Sequence, residues 1–115
     1  MQIRKIYRGV NPDLLYHQLI DLARKQGTVA ADTKIETYSL PTDSSSFITR
    51  GTFVLKAKDQ AARTEKECCQ VNIIGSAKGE TKLMLDVDES LFPQAKVAAL
   101  QSDLDFIFSD YEVKA

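Results

Sequence analysis

The stretch SLFPQAKVAALQSDLDFIFSDY, residues 90–111, decides how the rest of the chain must be arranged. Phe92, Ala95, Ala99, Leu100, Leu104, Ile107, Phe108 and Tyr111 recur at spacings of three and four, the period of one helix face. Gln94, Lys96, Gln101, Asp103 and Asp110 lie between them and can face water. Ser90 suits the N-cap, and Pro93 the first turn, where a missing N–H does no harm. Asp88 and Glu89 sit near the positive end of the expected helix dipole. Such a helix draws its stability from the surface its apolar stripe covers. The remaining sequence has to supply that surface.

It supplies strands. In Glu80 to Val87, Thr81, Leu83, Leu85 and Val87 share one face, and Lys82, Met84 and Asp86 the other. Lys66 to Gly75 puts Cys69, Val71 and Ile73 on one side. Between these two strands, Gly75-Ser76-Ala77-Lys78-Gly79 reads as a turn with a glycine at each end for unusual dihedrals. Phe47 to Lys58 is a strand with Phe47, Phe53, Leu55 and Ala57 on one face and Ile48, Arg50, Thr52, Val54 and Lys56 on the other. Gly51, on the apolar face, marks a bulge, a bend or a close approach by another element. Asp59 to Glu65 reads as a hairpin connection, and Pro41 to Ser46 as a turn or short exposed loop. From Val29, the residues Thr33, Ile35, Thr37 and Tyr38 suggest a strand ending near Leu40.

At the start, Gln2 to Arg8 is a strand whose imperfect alternation leaves its facing open. Asn11 is a good N-cap, Pro12 a good first helical residue, and Asp13 suits the helix start. Leu15, Leu19, Leu22 and Ala23 form a stripe, Arg24 and Lys25 suit the last turn, and Gly27 the stop. A helix from about Pro12 to Gln26 follows.

The order is β-α-β-β-β-β-α. The expectation is an α+β fold in one domain over residues 1–115: an antiparallel sheet of about five strands, a long C-terminal helix across one face, and a shorter helix beside it. In element order the chain resembles the helix-grip arrangement of START and Bet v 1-like proteins and of one half of TATA-binding protein. That resemblance implies a ligand-lined interior between sheet and last helix. The matching residues here are Phe47, Phe53, Leu55, Val71, Ile73, Leu83, Leu85, Leu104 and Phe108. The alternative is a filled core. Ala95, Ala98 and Ala99 favour it, since small residues let a helix lie close to a sheet.

Bulk properties narrow the function. With 43% hydrophobic and 27% charged residues over 115 positions, the chain can bury a core and is not of disordered composition. A net charge of −1 argues against general nucleic-acid binding. The charge is uneven, with eleven Lys/Arg against seven Asp/Glu through Lys66, then four against nine. No apolar run is long enough to span a membrane. Two adjacent cysteines rarely bridge, and on a strand they point to opposite faces. With no leader segment, a reduced cytoplasmic protein is expected.

Signals for chemistry are weak. Residues 75–82 have the look of a phosphate loop, but no lysine follows Gly79 directly, and a strand comes next where a helix N-terminus would be needed. His17, the one histidine, reads as solvated on the first helix. Cys68 and Cys69 lack further ligands at metal spacing and read as small apolar groups. Asp86, Asp88 and Glu89 are explained by the helix dipole. Arg4 and Arg8 share a strand face that Arg50 could join, forming a cationic patch. No catalytic set, metal or cofactor is expected, and the chain leans away from enzymes. Two partners remain: a small apolar ligand in the interior, or a second protein on the outer sheet face. That second protein could be another copy, held by Ile48, Val54, Ile74 and Met84.

Overall fold

The computed structural model describes residues 1–40, 43–59, 64–76 and 79–113. The elements are β1 (Gln2–Arg8), α1 (Pro12–Lys25), β2 (Thr28–Leu40), β3 (Asp43–Asp59), β4 (Thr64–Ser76), β5 (Glu80–Val87), α2 (Gln94–Phe108) and a 3₁₀ turn over Ser109–Tyr111. The fold is α+β, with five antiparallel strands in the order β1-β5-β4-β3-β2. Both helices cover one face of the sheet, and α2 packs on it as expected. At 14 and 15 residues the two helices are almost equal, so α1 is no minor neighbour.

Local chemistry fixes α1 as its sequence foretold. The Asn11 Oδ1 accepts the Asp13 N–H at 2.8 Å, Pro12 opens the helix, and Arg24 and Lys25 occupy its last turn. Gly27, with φ of +85°, turns the chain away from the helix. The start of α2 differs from expectation. Ser90 does not cap it. Pro93 is the cap position, with extended backbone, and the first turn holds no acid. Asp88 and Glu89 therefore precede a turn, not a helix. The Asp88 carboxylate accepts the Ser90 N–H at 3.0 Å and the Ser90 hydroxyl at 2.6 Å. That hydroxyl, then that amide, hold the Asp88 carboxyl below its usual range.

Phe92, Val97, Leu100, Leu104 and Phe108 are the residues α2 and its lead-in bury. Val97 takes the place expected of Ala95. Ala95 and Ala98 are exposed, so they do not bring α2 close to the sheet. The close approach belongs to α1. A Cβ on Gly51 would lie 2.6 Å from a Tyr16 ring carbon, and one on Gly75 would lie 2.5 Å from Pro12. Gly75 is accordingly a paired residue within β4, opposite Thr49 and Thr81, and not a turn residue. Gly79 does take a turn conformation, with φ of +81°. Ala77 and Lys78 lie outside the described residues, as do Pro41, Thr42 and residues 60–63 of the two expected connections.

Register shifts shape the rest. Between Ala31 and Lys34, β2 carries a bulge, with Asp32 at φ of +52°. This twists an edge strand that would otherwise be a flat template for pairing. Opposite Leu55 and Lys56, β4 has one extra residue, Cys68. The irregularity defeats strand alternation, so Cys68 and Cys69 both end in the core instead of on opposite faces. At the other edge, the Val113 N–H donates to the Ile6 carbonyl at 2.7 Å, and Tyr7 bridges Glu112. The tail thus closes part of the free side of β1.

Candidate functional site

With both helices on one side, the other side of the sheet is open. Pairing places its side chains in rows across the strands. One row runs Ile6, Lys82, Ile74, Arg50, Glu36, and the next runs Arg4, Met84, Asn72, Thr52, Lys34. Ile6 and Ile74 are 37% and 36% exposed, unusual for isoleucines in a sheet, and Met84, Ile48 and Val54 are half-buried. A groove of about 440 Å³ lies among Arg4, Ile6, Asn72, Ile74, Lys82 and Met84. A smaller one of about 230 Å³ continues the same face over Lys34, Glu36, Tyr38, Arg50 and Thr52.

The face is apolar in its middle and mainly cationic around it, with Glu36 and the exposed Asp86 the acids among those cations. Lys34 pairs with Glu36 at 3.0 Å. Among the described residues, Arg4, Arg50 and Lys82 form no ion pair. Arg4 and Arg50 are not neighbours, since β5 and β4 run between their strands, and Lys82 and Ile74 bridge the gap. Sequence reading placed Met84, Ile74, Ile48, Val54 and Arg50 on this face and left the facing of Arg4 open. It missed Ile6 and Lys82 as parts of the site, because only the pairing of the first strand with the fifth brings them together.

The helical side carries a contrasting feature. Phe106, on the outer surface of α2, is 90% exposed. Asp103 and Asp105 flank it, Asp110 follows, and the last turn of α2 holds no basic residue. Carboxylates at a helix C-terminus oppose the dipole, so this arrangement works against local stability. Asp105 and Glu112 are countered by Lys5, whose Nζ donates to them at 3.0 and 2.8 Å. Burial pulls the Lys5 pKa down, but the bonds to Glu112 and Asp105, with the nearby charges of Tyr7 and Asp105, outweigh it and the pKa is raised. Ile107 and Tyr111, expected in the buried stripe, are 39% and 49% exposed beside this acidic end.

The nine interior residues are divided. Phe53, Leu55, Val71, Ile73, Leu83, Leu85, Leu104 and Phe108 are each 3% exposed or less and belong to one core that spans sheet and both helices. Phe47 is 47% exposed and lines a separate groove beyond the start of α1, with Thr37, Thr49 and Gly75. There the hydroxyls of Thr37 and Thr49 meet at 3.0 Å, and Thr81 donates to the Val10 carbonyl, so these polar groups are already partnered.

Among the described residues, the other titratable groups form no site. His17 is exposed, with Nε2 3.8 Å from Asp13. Burial pushes the Cys68 thiol up and Cys69 to about 12, so neither is a ready nucleophile. Among the described residues no group of three or more His, Cys, Asp or Glu could hold a metal ion, and no helix is long and apolar enough to cross a membrane. No known protein family, no curated protein and no solved structure matches the chain.

Proposed function

We propose that the chain is a non-enzymatic protein-interaction module whose working surface is the open face of its sheet. The observation that carries this is the placing of an exposed apolar centre, Ile6 and Ile74, beside the cations Arg4, Arg50 and Lys82, which form no ion pair among the described residues. Contact surfaces of this kind bury an apolar middle and use the charged rim for orientation. The matching partner is a protein segment with an apolar side chain flanked by carboxylates. A small apolar ligand between sheet and α2, the other reading of the sequence, would have to displace eight side chains already packed there. The two unbridged cysteines fit a reducing, cytoplasmic setting.

The test is binding of a short fluorescent peptide carrying one phenylalanine among aspartates. Wild-type protein should bind it, and the variant Arg50→Glu/Lys82→Glu should bind at least about tenfold more weakly, since reversed charges across an interface repel. Both residues are exposed, so the variant should remain folded. Equal binding by the two proteins would sink the proposal.

A further inference from the structure

We infer that the open sheet face receives the acidic end of α2 from a second copy of this chain, so that copies associate head to tail. The inference rests on the open-face reading and names its partner. The two surfaces are complementary. The groove offers Ile6, Ile74 and Met84 with Arg4 and Lys82, and Arg50 stands beside it, paired across the strands with Ile74; the α2 end offers Phe106 with Asp103 and Asp110. Among the described residues those two aspartates form no ion pair, and neither do the three cations. A groove of about 440 Å³ falls within the size range of ligand sites and has room for an aromatic side chain.

Position and energetics agree with this pairing. The helix end lies over β1, where Lys5 bonds Asp105 and the rings of Tyr7 and Phe108 are 5.7 Å apart. The groove lies under β1, β5 and β4, on the opposite side of the same strands. A copy stacked along the sheet normal brings one surface to the other. A face-to-face dimer of two open sheets would instead set two mainly cationic faces against each other, which is unfavourable. Phe106 nearly fully exposed, and aspartates beside a helix C-terminus with no basic residue to offset them, both work against the isolated molecule and both are relieved in the contact. Because the contacting surfaces differ, the assembly is heterologous and grows as a ring or an open chain.

Sedimentation velocity with two variants tests this. Phe106→Ser keeps the groove and removes the inserted side chain; Arg50→Glu/Lys82→Glu does the reverse. Wild-type protein should associate with rising concentration, less at high salt, while each variant is at least about tenfold weaker in self-association. Mixed, the two variants should form a one-to-one dimer and grow no further, because only one productive contact is left between them. A wild-type protein that stays monomeric at high micromolar concentration overturns the inference, as does a Phe106→Ser protein that assembles like wild type. A mixture that forms no dimer overturns the head-to-tail geometry. If the acidic peptide still binds the open face of a strictly monomeric protein, only the second-copy assignment fails and the open-face reading stands.

Discussion

Gly51→Ala should lift α1 off the sheet. The added Cβ would stand 2.6 and 3.0 Å from two carbons of the Tyr16 ring, where ordinary contact is about 3.5–4.0 Å, so the ring must retreat by roughly 1 Å. It has nowhere easy to go. Tyr16 is 3% exposed, its ring stands edge-on to Phe53 at 5.1 Å, and Leu15 and Leu19 of the same helix are fully buried. Overpacking of this kind costs about 1–3 kcal/mol. Replacing glycine restores about 0.4–1 kcal/mol through the unfolded chain. Gly51 is not among the positive-φ residues, so no backbone strain is added. The net loss is about 1–2 kcal/mol, a fall in Tm of roughly 4–8 °C. Thermal and urea unfolding measure it. Adding Tyr16→Leu should make the glycine replacement tolerable, so the double-mutant cycle should show coupling of about 1 kcal/mol or more. A Gly51→Ala protein as stable as wild type, or a cycle without coupling, would refute the close-packing argument. Peptide binding should survive the substitution, because Gly51 belongs to the covered side of β3.

Lys5→Met should cost about 1–2 kcal/mol, since it leaves Asp105 and Glu112 without their cation while half-exposed Asp105 keeps much of its hydration. Because pairing raises the Lys5 pKa above its usual 10.5, that contribution is complete below pH 10.5 and is lost as pH climbs through the raised value; unfolding of both proteins at neutral and strongly alkaline pH checks this. Among the described residues the Tyr7 hydroxyl is buried without a hydrogen-bond partner, so Tyr7→Phe should be neutral within about 0.5 kcal/mol or slightly stabilising by urea unfolding. Burial pushes Tyr7 up to about 12 from 10.0, so the folded state holds its proton longer and wild-type stability should fall more steeply above pH 10 than that of the phenylalanine variant, which keeps the Lys5 part of the fall but not the Tyr7 part. Cys68 and Cys69, buried and with raised pKa values, should react slowly with a thiol reagent in native protein and quickly in urea; rapid native reaction would contradict their place in the core.

Much of the architecture was legible because short-range signals agree with it. Asn11, Pro12 and Gly27 bound α1 through their own backbone preferences, and Thr81, Leu83, Leu85 and Val87 alternate as β5 requires. What was misread depends on partners far away in the chain. Phasing α2 on Ala95 missed Val97, because spacing cannot tell which of two adjacent stripes meets the sheet. Pro93 stays outside the helix because the Leu91 and Phe92 N–H groups bond back to the Asp88 carbonyl in a preceding turn. Gly51 left a bulge, a bend or a close approach open and Gly75 reads as a turn residue in the sequence, and only packing shows that both make room for α1. The cysteine bulge left no mark in the sequence. Half of the candidate site was visible as outer-face residues. The missing signal was Phe106, an aromatic set among Asp103, Asp105 and Asp110 where a solvated helix face needs none.

Residue-resolved NMR during titration with the phenylalanine–aspartate peptide reports directly on which surface of the molecule makes contact. Amide shifts should move on the strands of the open face, at Ile6, Asn72, Ile74, Lys82 and Met84, and stay still in α1. Shifts confined to α1, α2 and the core residues between them would contradict it and would return the binding surface to the helical side.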